Sequence, residues 1–376
     1  MKKAVLGFSG GVDSAVSAVL LKKEGYEVAG VYLDNCGSDA LEAAVSGAEF
    51  SDIPLEIIDV RQELEEKVCS RFADEYLCGR TPNPCIICNP AVKFRKLLEY
   101  ADSIGADYIA TGHYARTEVL PEGGRGLYKG NPENDQSYML CRITKSQLDR
   151  LLLPLGNYPK REVRKMAAEL GLPAAGKPDS MEICFIPDKD YIGWLSRRTA
   201  LPGPGPVVLH GEQVGEHGGI FRWTVGQRWP GLINGRKVYV SRICPAENAI
   251  ELSLWEELFT CEVNAAGFNF LAVPGDAVLG GNSAAPISVP EDSSEVPNRA
   301  ADRLPALTAP EGLIMENLSV RVRHTKWENP PCRACFRPDG SVRITCEEPV
   351  RAPAAGQSAV LYSGDRVIGG GFIMQP

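Results

Sequence analysis

From Lys3 to Thr111 the chain alternates short apolar runs with longer stretches whose apolar positions recur three and four apart. The runs Ala4–Phe8, Val28–Leu33, Leu55–Val60 and Tyr108–Thr111 have the length and composition of strands, and segments such as Ala15–Lys23 and Phe94–Ile104 have the helical period. Consecutive strands joined by helices pair in parallel, so the pattern predicts an α/β domain with a parallel sheet covered on both faces. Such sheets take ligands beyond the C-terminal ends of their strands, and here the first and fourth runs each end in a turn containing glycine.

Further helical pattern covers Ser146–Leu153 and Lys160–Leu170. The cluster Leu201-Pro202-Gly203-Pro204-Gly205-Pro206 then marks a domain boundary. Past it, Lys237–Ser241, Val320–His324, Ser341–Thr345 and Ser358–Tyr362 predict a small all-β ending, a barrel. Residues 273–310 are rich in Pro, Ala, Ser, Asp and Glu and nearly without aromatics, which predicts a poorly ordered insertion. A chain of 376 residues exceeds what one core usually serves, so two or three domains are expected.

Composition narrows the class. No window is apolar for long enough to cross a bilayer, and the apolar start after Met1-Lys2-Lys3 stops at Ser9-Gly10-Gly11, too soon for a signal peptide. Twelve cysteines without such a signal predict a reducing, cytoplasmic setting in which thiols are structural, metal-binding or catalytic. A formal charge of −8 excludes a general basic coat for nucleic acid and leaves room for a local basic groove.

Ser9-Gly10-Gly11-Val12-Asp13-Ser14 lies between the first strand and the first helix. Glycines there let backbone approach an anion, the helix start supplies positive potential, and Ser9 and Ser14 add hydroxyl donors. The Gly-Lys-Ser/Thr ending of a Walker loop is missing, and Asp13 would repel phosphate unless it holds Mg²⁺ or caps the helix. A plain Gly-rich turn with a helix cap is the alternative.

This loop resembles that of the pyrophosphate-loop ATPases, which cleave ATP between the α- and β-phosphates. Four further stretches are similar to the bacterial tRNA-specific 2-thiouridylases: Thr81-Pro82-Asn83-Pro84-Cys85-Ile86-Ile87-Cys88-Asn89 with Lys93-Phe94, Ala110-Thr111-Gly112-His113-Tyr114-Ala115-Arg116, Asp135-Gln136-Ser137-Tyr138, and Asp179-Ser180-Met181-Glu182-Ile183-Cys184-Phe185, followed by Thr224-Val225-Gly226-Gln227-Arg228. The resemblance implies a pyrophosphate-loop ATP-binding and catalytic domain over residues 1–198, a small central domain over 199–258 and a β-barrel over 259–376. It implies ATP and Mg²⁺ at Gly7, Phe8, Ser9, Gly10, Gly11, Val12, Asp13, Ser14, Leu33 and Gly112. Asp13, Cys88 and Cys184 become the catalytic residues. Cys184 would take sulfur as a persulfide from a donor such as a cysteine desulfurase or relay protein, ATP would adenylate the C2 oxygen of the wobble uridine, and Cys88 would release the sulfur, leaving a Cys88–Cys184 disulfide or freeing hydrosulfide. AMP and pyrophosphate would be the by-products. Contacts to tRNA are implied for Asn83, Pro84, Cys85, His113, Asn134, Asp135, Gln136, Arg323, His324 and Gln357.

Two departures bear on this. The family usually has Lys where Asn134 stands, and the segment after Leu33 is short. Cys85 stands where many members have Asp, so that Cys85, Cys88 and Cys184 offer three thiolates to an iron–sulfur cluster. Cys332-Arg333-Ala334-Cys335 lacks the companions of a zinc site and reads as a pair of exposed turn thiols. The rival readings are an amide ligase that needs no persulfide cysteine, and a non-catalytic tRNA-binding or sulfur-carrier protein that forms no AMP.

Overall fold

The computed structural model describes all residues except 36–39, 122, 177–182, 273–277, 280–311, 325–328 and 376, with backbone alone at 278–279. Five parallel strands form the first sheet: β1 (Lys3–Gly7), β2 (Glu27–Asp34), β3 (Leu55–Asp59), β4 (Tyr108–Ala110) and β5 (Leu151–Leu152), in the order β3-β2-β1-β4-β5. Because side chains alternate along a strand, β1 feeds two cores. Ala4 and Leu6 pack with Val16 and Leu21 of helix α1 (Val12–Lys23), whereas Val5 packs with Phe94 and Leu97 on the other face. The central strand therefore holds helices on both sides, and its C-terminal end lies in the middle of the sheet.

The four expected strands are present. Ser146–Leu153 is not one helix: a helix over Lys145–Asp149, opened by a reciprocal Thr144–Gln147 capping box, gives way to β5. Leu151 and Leu152 are both buried, and a short run buried on two faces has no periodicity by which to tell strand from helix.

The second sheet has four strands, in the order Tyr239–Cys244, Ala249–Ser253, Gly205–Leu209, Glu212–His217. The third closes on itself: Phe259–Phe270, Ser341–Arg351, Pro331–Phe336, Leu313–Arg321, Ser358–Ser363 and Arg366–Ile373 form a ring through the pairing of the first with the last. The ring itself has no free edge, and a hairpin of Ala115–Val119 and Arg125–Lys129 attaches to it where Tyr128 pairs with Arg366. Cys332 and Cys335 lie in one of these strands, with Cys332 only 4% exposed, which corrects their reading as turn thiols. Val278–Leu279 pairs with Leu313–Arg321, and the rest of the insertion at 273–310 lies outside the described residues. Among the described residues no helix is long and apolar enough to cross a membrane.

A buried carboxylate joins barrel to parallel-sheet domain. Asp135 accepts from Gly130 N (2.8 Å), Ser137 N (3.0 Å), Ser137 Oγ (2.9 Å) and, across the domains, Arg321 Nη1 (2.8 Å). His324 Nε2 donates to the Asp135 carbonyl (3.1 Å). The side chains of the pair are 15% and 5% exposed, so removing one member strands a charge away from water. Asp135→Ala is expected to lower the unfolding free energy by roughly 3–5 kcal/mol, read from urea denaturation; a loss below about 1 kcal/mol, the value of an exposed pair, would contradict this account.

Candidate active site

The loop after β1 is held by Phe8, whose side chain is buried and whose N–H donates to Val31 O (2.8 Å). Gly10 has φ +71°, and a Cβ there would sit 2.5 Å from the backbone of Ala43, so glycine is required on both counts. Gly11 caps α1 in an extended conformation with no side-chain bond. The first N–H groups of α1 thus have no partner within the helix and present positive potential.

Asp13, in the first turn, does not cap the helix. Its carboxylate takes Lys160 Nζ at 2.7 Å on both oxygens and Tyr114 Oη at 2.6 Å. Gly112 crosses directly above, where a Cβ would come within 3.0 Å of Asp13 Cβ. A bare carboxylate about 4 Å from a phosphate charge would cost on the order of 4 kcal/mol near a protein surface, and Lys160 removes that obstacle.

The second wall is a helical run from Pro84 to Ser103. Asn83 opens it by accepting from Cys85 N (3.2 Å), with Pro84 in the first turn. Over Asn89–Lys93 the winding widens to a π-turn, in which Phe94 N reaches back five residues to Asn89 O. Such turns insert one residue and are frequent at functional sites. A second π-turn covers Glu65–Cys69. The cysteines meet through the apolar residues beside them: Ile183 and Phe185, flanking Cys184, pack in the same cluster as Ile87 and Val92 on either side of Cys88. Phe185 is locked edge-on against Phe72, ring centroids 5.4 Å apart.

These walls enclose one cavity of about 640 Å³. Gly7, Phe8, Ser9, Asp13 and Ser14 line one end, with Leu33 from the end of β2 and Gly112 from the end of β4. Asn83, Pro84, Cys85, Cys88 and Cys184 line the other, joined by His113, Gln136 and Gln357. Gly10, Gly11 and Val12, in the middle of the loop, are not among the lining residues. Asn134, Asp135, Arg323 and His324 do not line the cavity: Asn134 Oδ1 accepts from Lys160 N (3.3 Å), and Arg323 donates to the carbonyls of Val225 and Ala352.

Burial pushes the Cys88 thiol up to about 12; Lys93 opposes this, and the neighbouring thiols of Cys184 and Cys85 add to it. At neutral pH Cys88 is a thiol. Burial, then Lys93, holds His113 well below the usual histidine range, so the ring is neutral, with Nδ1 2.7 Å from Thr111 Oγ1. Cys184 is exposed. The cysteines of the site are thiols, not joined by a disulfide. Among the described residues no three His, Cys, Asp or Glu side chains converge to hold a metal ion, so the iron–sulfur reading of Cys85, Cys88 and Cys184 finds no support.

The arrangement suits an anionic ligand bearing phosphates at one end and thiol chemistry at the other. Ser9 Oγ and Ser14 Oγ are 3.4 Å apart beside the opening amides of α1, and the Asp13 carboxylate is an oxygen ligand for a hard cation such as Mg²⁺ once Lys160 and Tyr114 release it. Sequence reasoning missed Lys160 and Tyr114 as partners of Asp13, 147 and 101 residues away in the chain, a separation with no local pattern to betray it. Lys93 was legible only as part of a motif.

Comparison with known proteins agrees along the whole chain. Residues 2–188 match the family described as tRNA methyl transferase HUP domain, 197–253 the tRNA methyl transferase PRC-barrel domain and 307–373 the aminomethyltransferase beta-barrel domain. A tRNA-specific 2-thiouridylase MnmA of Lachnoclostridium phytofermentans is 38% identical, covering 100% of both chains, and that of Clostridioides difficile is 35% identical over 99% of this chain and 98% of its own. The chain belongs to the tRNA-specific 2-thiouridylase family. The domain descriptions speak of methyl transfer, but the relatives that match end to end carry the thiouridylase name. A solved 4-thiouridine synthetase–RNA complex with bound ATP overlaps 52% of this chain and 50% of its own with a TM-score of 0.37 and 22% identity, too slight a likeness to argue from.

Iodoacetamide followed by peptide mass mapping is expected to label Cys184 well before Cys88. Labelling of Cys88 should keep accelerating past pH 10, because a thiol raised to about 12 is still mostly protonated there. A plateau near pH 8.5 would show an ordinary, accessible thiol instead. Lys93→Met should slow Cys88 further, since it removes the charge that favours the thiolate.

Proposed function

We propose that this protein is an ATP-dependent tRNA sulfurtransferase that converts the wobble uridine to 2-thiouridine, with Cys184 as the persulfide carrier and Cys88 as its resolving partner. The observation that carries the reading is that one cavity is lined by Ser9, Asp13 and Ser14 at one end and by Cys88 and Cys184 at the other. Family membership supplies the substrate class, because the full-length relatives are named for thiolating tRNA.

In this reading residues 1–198 bind ATP and carry the chemistry, 199–258 form the central domain, and 259–376 the barrel that faces the tRNA. The target base leaves its stack to enter the cavity, since its C2 is otherwise shielded. Asn83, Pro84, Cys85, His113, Gln136 and Gln357 meet it there. Asp135 and Arg323, engaged with protein groups, serve the frame around it. Gly7, Phe8, Ser9, Ser14, Leu33 and Gly112 surround ATP, and Mg²⁺ on Asp13 would supply charge neutralisation of the triphosphate.

The uridine O2 attacks the α-phosphorus and pyrophosphate leaves with the electron pair of the broken Pα–O bond, which turns a poor leaving group into AMP. The terminal sulfur of the Cys184 persulfide, loaded by a cysteine desulfurase or a relay protein, then attacks C2 and AMP departs. Cys88 loses its proton and attacks Cys184 Sγ. The old S–S bond breaks toward the transferred sulfur, leaving 2-thiouridine and a Cys88–Cys184 disulfide, and an external dithiol returns the two electrons. Cys184 is the exposed member, open to the donor; Cys88 is the shielded one, inert until the pocket is loaded.

Nucleoside mass spectrometry after incubation of unmodified tRNA with the protein, ATP, Mg²⁺ and a persulfide donor should show 2-thiouridine and equimolar AMP. Cys184→Ser should form no 2-thiouridine yet still release pyrophosphate in a tRNA-dependent burst. Absence of thiolated nucleoside with the wild-type protein, on tRNA and donor proven with a control enzyme, would sink the reading. AMP formation by Cys184→Ser that depends on ammonia would replace it with an amide ligase.

A further inference from the structure

We propose that Cys261 and Cys346 form a thiol modification site at the rim of the barrel: Cys261 takes up one half of a low-molecular-weight disulfide, and Cys346 displaces it to close a bridge between neighbouring strands. Three cysteines lie side by side here. Val263, Ile344 and Ala334 are register partners on adjacent strands, and all three are buried, so they face the barrel interior. Two residues further along each strand, on the same face, come Cys261, Cys346 and Cys332. Cys332 pairs directly with Cys346, and Cys261 follows the Glu262–Thr345 pair on the other side.

Access grades the row. Cys261 is exposed, whereas Cys346 and Cys332 are each 4% exposed, so a dissolved reagent meets Cys261 first. Burial, then Cys261, pushes the Cys346 thiol up to about 11; burial, then Cys346 and Glu347, drives Cys332 higher still. Cys346 is therefore the readier of the two to exchange.

The backbone favours the same pair. Register partners in a regular ladder hold their Cβ atoms about 4.5–5.5 Å apart, and a disulfide needs about 3.8 Å. Cys332 and Cys346 belong to an unbroken ladder that runs on to Phe336 and Val342. Beside Cys261 the ladder breaks: Glu262 pairs with Thr345 but Thr260 with Val350, which leaves residues 346–349 opposite Cys261 alone. A bulged segment lacks ladder hydrogen bonds, so Cys346 can close the remaining gap. Glu348 and Pro349 of that bulge line a second cavity, of about 510 Å³, together with Arg321, Arg323 and Arg351. Closing the bridge pins one wall of that cavity.

The chemistry is two thiol–disulfide exchanges. The Cys261 thiolate attacks one sulfur of the reagent, whose S–S bond breaks with its electron pair leaving on the other half. Cys346 then loses its proton and attacks Cys261 Sγ, and the second half leaves as a thiolate. Two protein thiols are oxidised and one reagent disulfide is reduced to two thiols.

Hydroxyethyl disulfide, an uncharged reagent, is applied to the full-length protein, followed by N-ethylmaleimide, non-reducing digestion and peptide mass mapping. In the wild-type protein an adduct on Cys261 should appear first and give way to a linked Cys261–Cys346 peptide pair, which dithiothreitol reverses. Cys346→Ala should stop at the adduct. Cys261→Ser should lower the yield of any peptide linked through Cys346 by roughly tenfold or more. Cys184→Ser should form the bridge as the wild type does, which separates this site from the thiols of the first cavity. Amide exchange at Glu347 and Glu348 should slow by about tenfold in the linked protein. Cys261 left unmodified, a wild-type adduct that never resolves, or a Cys332–Cys346 link formed as fast in Cys261→Ser would overturn the proposal. Unchanged exchange would overturn the pinning of the bulge. Thermal melting of each variant checks that the fold is kept.

Discussion

A carboxylate inside a loop shaped for anions is the constraint around which this structure is organised. Asp13 is tolerable there because Lys160 and Tyr114 hold it, and neither partner is local. Tyr114 is in turn fixed by Gln136, which accepts from Tyr114 N through its side chain and donates its own N–H to Tyr114 O. Gln136 follows Asp135, and Asp135 is anchored by Arg321 of the barrel. A continuous chain therefore runs from the barrel wall to the start of α1, through hydrogen bonds and the single peptide step from Asp135 to Gln136. The loop's geometry is a property of the whole molecule.

The same logic explains the two unlike thiols. Packing of Phe185 and Ile183 against the residues flanking Cys88 draws the two segments together, but the apolar surroundings that do so also suppress ionisation of Cys88. Assembly and reactivity pull in opposite directions, and Lys93 is the charge that mediates between them. The difference between an exposed Cys184 and a protonated Cys88 follows chiefly from burial, with Lys93 opposing it.

Much of this was legible in the order of residues. The four strands of the parallel sheet, the helices after β1 and before β4, and the loop at the end of β1 all have local signatures, because period and glycine placement act over a few residues. That Cys88 and Cys184 share one cavity was legible through motif, not spacing. What stayed hidden were relations between distant segments: β5, whose two leucines look helical in isolation; the strand that hides Cys332; the ion pairs of Asp13 and Asp135; and the inward engagement of Arg323, for which the resemblance implies a contact to tRNA. Pairings across 147 or 186 residues are settled by tertiary packing.

The widened turn at Asn89–Lys93 also sets a phase. One residue more than an α-helix needs is accommodated between the cysteine end of the run and the end that packs on β1. In a regular helix each residue turns the chain by about 100°, so the extra one offsets the two ends by that angle. Phe94 and Leu97 can therefore point into the core while Cys85 and Cys88 face the cavity. Chain length over those five residues, more than their chemistry, decides which way the thiols look.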